Sequence, residues 1–347
     1  MKRRSFLEAT AVASAAAVLA PWARRASAAE EAELYAAAKG EGQVTWYTAH
    51  FDTQTAESIG NAFATKYSGI RANVVRTTAQ VAFQRLSQDL KTGIAECDVF
   101  SSTDLGHYVR LKPMGVFLKY TAPNAAQLLP PFKDIDPDGE YFVTSAGLIC
   151  ITYNKDKVKE SEAPKNWPDL LDPKWKDQIS VGHPGFSGYV GTWVVEMRNL
   201  YGWDYFEKLR ANEPQVGRSI NDTVTMLNSG ERSVAAGPEA TTLESAARGN
   251  PLGVIYPSDG ALLMVSPSAV MKNSRRLNAA RLFMNYLMSR DASEILVRNF
   301  SPAVVLGVAP APGAKPLAEV KTIRPTAEEI TEGIPEVIKR WRDTFGA

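Results

Sequence analysis

The segment 178–201, QISVGHPGFSGYVGTWVVEMRNLY, decides how this chain is read. Residues 179–181 form a short apolar run suited to a buried strand. His183-Pro184-Gly185 follows as a turn signal. Val190, Trp193, Val194, Met197 and Leu200 then recur at the spacing of one helical face. Ser187 is placed to cap that helix and Gly202 to end it. The first N–H groups of a helix have no partner within it. Their partial positive charge makes such a strand–turn–helix corner an anion site. The same residues also suit an ordinary corner whose amides face water, so the rest of the chain has to place it.

Upstream, strand-like runs at 44–48, 70–77 and 97–100 alternate with helical patterns at 59–67, 80–91 and 105–111. That alternation predicts an α/β fold with parallel strands. The carboxyl ends of strands in such sheets line the ligand crevice. Here those ends are polar: Thr48 and His50, Thr77 and Thr78, then Ser101, Ser102 and Thr103. Several of these hydroxyls equally suit the cap of the helix that follows. Residues 141–154 (YFVTSAGLICITYN) are too long for one ordinary strand and suit a crossing between domains.

Downstream of the corner the α/β alternation resumes, with strands at 233–237 and 252–256 and helices at 222–227 and 239–248. Asn221 and Asp222 sit where a cap is needed. A second long β-prone run, 261–271, mirrors the first and reads as the return crossing. Residues 274–296 read as one helix, 302–325 as a Pro/Ala/Gly-rich connection and 334–345 as a last helix.

The N-terminus stands apart. Lys2-Arg3-Arg4-Ser5-Phe6-Leu7, a mildly apolar stretch at 9–20 and Ala26-Ser27-Ala28 resemble a twin-arginine export signal with its cleavage site, over residues 1–28. The remainder exceeds a comfortable single core, so two domains are expected. The chain has 39 basic and 38 acidic residues, with no basic stripe carrying interleaved aromatics, so nucleic acid is not an expected partner. Two cysteines, Cys97 and Cys150, lie in apolar surroundings; an exported chain could bridge them, but buried free thiols fit that context better. Two Cys and three His, widely spread, give no metal spacing, and no cofactor motif appears. No GxSxG, Cys–His or paired-carboxylate arrangement points to an enzyme.

Together these features resemble a periplasmic solute-binding protein of an ABC importer, type II, in the branch that contains ferric-ion binders. The likeness rests on 44–48, Asp98-Val99-Phe100, 147–154, the block PDLLDPKWK at 168–176, Asn228-Ser229-Gly230-Glu231 and YPSDG at 256–260. It implies a two-lobe fold: two mixed or parallel sheets joined by two crossing strands. Lobe 1 would hold 29–146 and 260–300, lobe 2 would hold 147–259, and 301–347 would form a C-terminal helical segment packing back on both. It further implies a monomer that delivers a small solute to a membrane permease, or serves a sensor. By resemblance, Ser187, Gly188 and Tyr189 hold the anionic group, and Glu239 lies near the cleft; Asn221 fits a ligand contact or a cap. Ferric binders of this branch carry an adjacent Tyr pair that falls here on Ala240 and Thr241. The expected solute is therefore a phosphonate, organophosphate or carboxylate. Fe(III) held with a synergistic anion and non-Tyr ligands is the alternative.

Overall fold

A computed structural model describes residues 29–133 and 135–346, so the twin-arginine segment lies outside the described residues. β1 (Gln43–Thr48), β2 (Arg71–Arg76) and β3 (Val99–Ser101) pair in parallel. α1 (Thr53–Lys66) and α2 (Ala79–Thr92) join them, and α3 (Leu105–Leu111) follows. In the second half β5 (Ile179–Gly182), β6 (Gln215–Gly217) and β7 (Val234–Pro238) are again parallel. Their helices are α4 (Gly188–Tyr201), α5 (Asp204–Ala211), α6 (Asp222–Asn228) and α7 (Glu239–Ala247).

Two long antiparallel strands, β4 (Tyr141–Asn154) and β9 (Ala261–Val270), connect the halves. The strand order is β2-β1-β3-β9-β4-β7-β5-β6; β8 (Leu252–Ile255) adds to β4, and β10 (Thr322–Ile323) adds to β9. The two parallel halves are joined through the two crossing strands, as expected. One ladder runs through both halves, because β4 pairs with β9 along its first part and with β7 and β8 along its last.

The apolar cores nevertheless divide. Tyr141, Val143, Ala146 and Leu148 of β4 enter the first core, and Ile149, Ile151 and Tyr153 enter the second. β9 likewise splits, with Leu263 and Val265 in the first and Leu262 and Met264 in the second. Cys97 and Cys150 are buried and unbridged.

Three helix readings need correction. Leu200 of α4 is exposed, while Val190, Trp193, Val194 and Met197 are buried. The long helix at 274–296 is two, α8 (Leu277–Leu287) and α9 (Arg290–Arg298), divided where Ser289 Oγ accepts from Ala292 N at 3.3 Å. The last helix, α10 (Ala327–Phe345), starts earlier than its apolar pattern, at a capping box between Thr326 and Glu329. α10 reaches both cores, through Ile330 in the first and Val337 and Trp341 in the second.

A buried carboxylate locks the first half. Asp98 is fully buried and accepts from Thr45 N at 2.6 Å, Ser274 Oγ at 2.6 Å and Arg276 Nε at 2.8 Å. It ties β1, the entry to β3 and the start of α8 together. Burial raises its pKa against these hydrogen bonds and the Arg276 charge. Removing one partner of such a pair leaves a charge without compensation. Arg276→Met should lower unfolding stability by about 3–5 kcal/mol, read from the urea midpoint. An unchanged midpoint would show that the pair is not a structural lock.

Candidate functional site

A cleft of about 370 Å³ lies between the halves. Its floor is the middle of β4, Ser145, Ala146 and Gly147. One wall comes from the first half: Ala49 and His50 after β1, Arg76 at the end of β2, Thr78 and Gln80 at the start of α2, and Thr103 after β3. The other comes from the second half: the α4 corner, Ile220 and Asn221 before α6, and Ala240, Thr241 and Glu244 on α7.

The start of α4 points into this gap. Ser187 is the N-cap and its Oγ accepts from Val190 N at 3.5 Å. Ser187 N turns back to His183 O at 3.3 Å. The N–H groups of Gly188 and Tyr189 find no partner among the described residues. A Cβ on Gly188 would stand 3.6 Å from Thr103 O and 3.7 Å from Thr103 Oγ1, across the cleft. Tyr189 lies over Gly147 so closely that a Cβ there would come 2.7 Å from the phenol oxygen. Burial raises the Tyr189 pKa, so its hydroxyl keeps its proton and can donate.

Among the cleft-lining residues Arg76 is the one permanent cation. Its Nε donates to Phe51 O at 2.5 Å, which fixes the side chain and leaves the outer guanidinium nitrogens available. The two lining acids are already engaged. Asp52 caps α1, accepting from Thr55 N at 2.7 Å, and Glu244 pairs with Arg248 at 2.5 Å. His50 Nε2 lies 3.2 Å from Ser102 O, the geometry of a donor to that carbonyl. That tautomer makes Nδ1, buried and without a partner, an open acceptor.

The structure brings Ser187, Gly188, Tyr189, His50, Thr78, Thr103 and Asn221 to one cavity. Asn221 occupies the cap position of α6 without capping it; its Oδ1 instead accepts from Thr241 Oγ1 at 3.2 Å. Four expected residues do not reach the cleft. Thr48 is buried, its Oγ1 accepting from His50 N at 3.2 Å. Ser101 Oγ is buried between Trp46 Nε1 at 2.6 Å and Ser268 Oγ at 2.5 Å. Ser102 Oγ meets His107 Nδ1 at 2.8 Å inside the first core. Glu239 faces a separate small cavity behind β4 and bonds the Tyr256 hydroxyl. The strand-end rule applies equally to Arg76, Gln80 and Thr241; a search for hydroxyls alone passes over the cation among them.

Residues 97–327 match the family described as bacterial extracellular solute-binding protein. The chain belongs to this family. In Salmonella paratyphi A, a protein named "Putative 2-aminoethylphosphonate-binding periplasmic protein" is 22% identical over 87% of this chain and 88% of its own length. The solved structure of iron-bound HitA from Pseudomonas aeruginosa superposes with a TM-score of 0.75 at 21% identity, covering 87% of this chain and 99% of that one. AfuA from Actinobacillus pleuropneumoniae, solved with fructose-6-phosphate, gives a TM-score of 0.76 at 22% identity over 88% and 99%. These likenesses establish the two-lobe fold of periplasmic solute-binding proteins for this chain.

In this solute-binding protein, desolvation lowers the His50 pKa from 6.5 to about 4. The unfolded chain therefore takes up the proton first as pH falls. The stability tied to neutral His50 is complete above pH 6.5 and is lost as pH drops towards 4. His50→Gln should remove roughly 1–3 kcal/mol of the acid-dependent loss in that window, measured by urea unfolding at stepped pH. A parallel pH profile in both proteins would place His50 outside this effect.

Proposed function

We propose that the protein captures a small solute through its anionic group, a phosphonate, organophosphate or carboxylate, and hands it to an ABC permease. One observation carries the reading: the unpaired amides at the start of α4 and the Arg76 guanidinium line the same cleft from opposite lobes. Backbone N–H groups at a helix start and a forked guanidinium both suit oxygen anions. An anion touching both lobes stabilises the closed form over the open one, which is what hinge closure needs. The 1–28 segment supports export by the twin-arginine route and a periplasmic place of work, and the protein acts as a monomer without chemistry of its own.

Fe(III) held through side chains has less to bind. Among the described residues no three His, Cys, Asp or Glu side chains gather as a metal-holding group. Ala240 and Thr241 line the cleft in place of hard phenolate donors. Iron would depend on an anion for most of its ligands.

Calorimetric titration with 2-aminoethylphosphonate, a phosphomonoester, citrate and Fe(III) tests the reading. At least one of the three anions should bind without added metal. Arg76→Ala should weaken that binding about 10–100-fold, as expected for a lost charge-assisted pair. Gly188→Leu should block it, because a Cβ there already meets Thr103 and Asp104 at 3.6–3.9 Å and a larger side chain fills the cleft mouth; the melting temperature checks that the variant is folded. Full affinity in both variants would remove the corner and Arg76 from the site.

A further inference from the structure

One lining residue is not explained by an anion alone. Phe186, immediately before the α4 cap, is 61% exposed at the cleft. It is exposed but not loose. The His183 ring packs at 4.9 Å between centroids, and the Arg218 guanidinium lies 5.1 Å from the Phe186 centroid. An aromatic ring held in place on two sides, with its remaining surface open at a ligand cavity, is a platform awaiting a partner.

The size of the cleft points the same way. A tetrahedral oxyanion of five heavy atoms takes the room of only a few waters, each needing about 10–15 Å³ of such cavity space. The cleft offers about 370 Å³. Its lining also includes Ile220, Leu148, Pro238 and Ala240, and among the cleft-lining residues no second permanent cation awaits another anionic group. A bare inorganic anion would leave this apolar surface wet and the volume unfilled.

We propose that the cleft selects an organic phosphate or phosphonate whose body presents a flat apolar or aromatic face, and that Phe186 reads that face. The proposal rests on the anion reading above and adds the class of the body attached to the anion. The anionic group seats on the Gly188 and Tyr189 amides and Arg76. The adjoining body covers Phe186, whose backbone is fixed only one residue before the cap.

Titration of the full exported chain with phenyl phosphate and with inorganic phosphate tests this. Phenyl phosphate should bind at least about tenfold more tightly than inorganic phosphate. Phe186→Ala should weaken phenyl phosphate about five- to twentyfold and leave inorganic phosphate within about twofold. Phe186→Trp should retain the preference for the ring. The exposure of Phe186 means these variants should melt as the parent does. Equal binding of the two anions by the parent, or an equal loss for both in Phe186→Ala, overturns the proposal. Failure of the parent to bind any phosphate or phosphonate is a different result: it removes the anion reading and the proposal together.

Discussion

The pairing of β4 with β9 is the constraint on which the rest of this structure depends. A strand of 14 residues spans roughly 47 Å at about 3.4 Å per residue, longer than one core can cover. Its burial is therefore shared between two cores, and the pair carries the sheet backbone through both. Between the cores the strand has to cross a gap. The ladder shifts register between Val143 and Ser145, and where the strand then floors the cleft the side chains shrink to Ser145, Ala146 and Gly147. Small residues at that point leave room for a ligand above the strand, and Gly147 lets Tyr189 close down on it. Buried hydroxyls hold the kink: Thr144 Oγ1 and Ser268 Oγ lie 2.5 Å apart, and Ser268 continues to Ser101. The hydroxyl-rich end of β3 thus braces the hinge side of the cleft.

The site follows from how each lobe ends its strands at this gap. Parallel strands in both halves aim their carboxyl ends at it, as α/β sheets do. From the first lobe this delivers a fixed cation, Arg76. From the second it delivers a helix start, the Gly188 and Tyr189 amides. Two acids line the cleft, and each is tied to a partner close in sequence, Asp52 by Thr55 and Glu244 by Arg248. Asp104, which a Cβ on Gly188 would approach to 3.9 Å, is committed likewise, with Oδ1 on Gly106 N at 2.9 Å. Local engagement holds these carboxylates in place, while the outer nitrogens of Arg76 and the first α4 amides stay without partners among the described residues.

Much of the fold was legible because its signals are local. The crossing strand was readable at Tyr141–Asn154 from its length and continuous apolarity, and α3 from helical spacing. The corner was readable because Ser187 and Gly202 are cap residues at both ends of one periodic run. Misreadings arose where a competing local signal decided. Ser289 breaks a helical pattern that periodicity alone carries through, and Thr326–Glu329 starts α10 before its strongest apolar stripe. The site was less legible, because depth is not written in residue type. Ser101, Ser102 and Thr103 are neighbours of similar chemistry, yet the two serines are spent on Trp46 and His107 and only Thr103 reaches the cleft. Arg76 was missed for the opposite reason: an arginine ending a half-exposed strand looks like ordinary surface until the fold aims it.

Glu239 shows how one residue step separates two environments. It begins α7 directly after β7, and Ala240 and Thr241 come next on the helix. Successive helical residues turn by about 100°, so a first residue that faces away from the cleft sends the next ones towards it. Glu239 accordingly drops behind β4, where burial raises its pKa to about 7 and the Tyr256 hydroxyl donates to it. Ala240 and Thr241 face the ligand space. The backbone thus presents to the cleft the two positions on which the sequence resemblance would place a Tyr pair, and they carry a methyl group and a hydroxyl. A carboxylate one residue away cannot substitute without unwinding the start of α7 and abandoning Tyr256. The same helix start that buries Glu239 thus keeps the α7 wall of the cleft uncharged as far as Glu244.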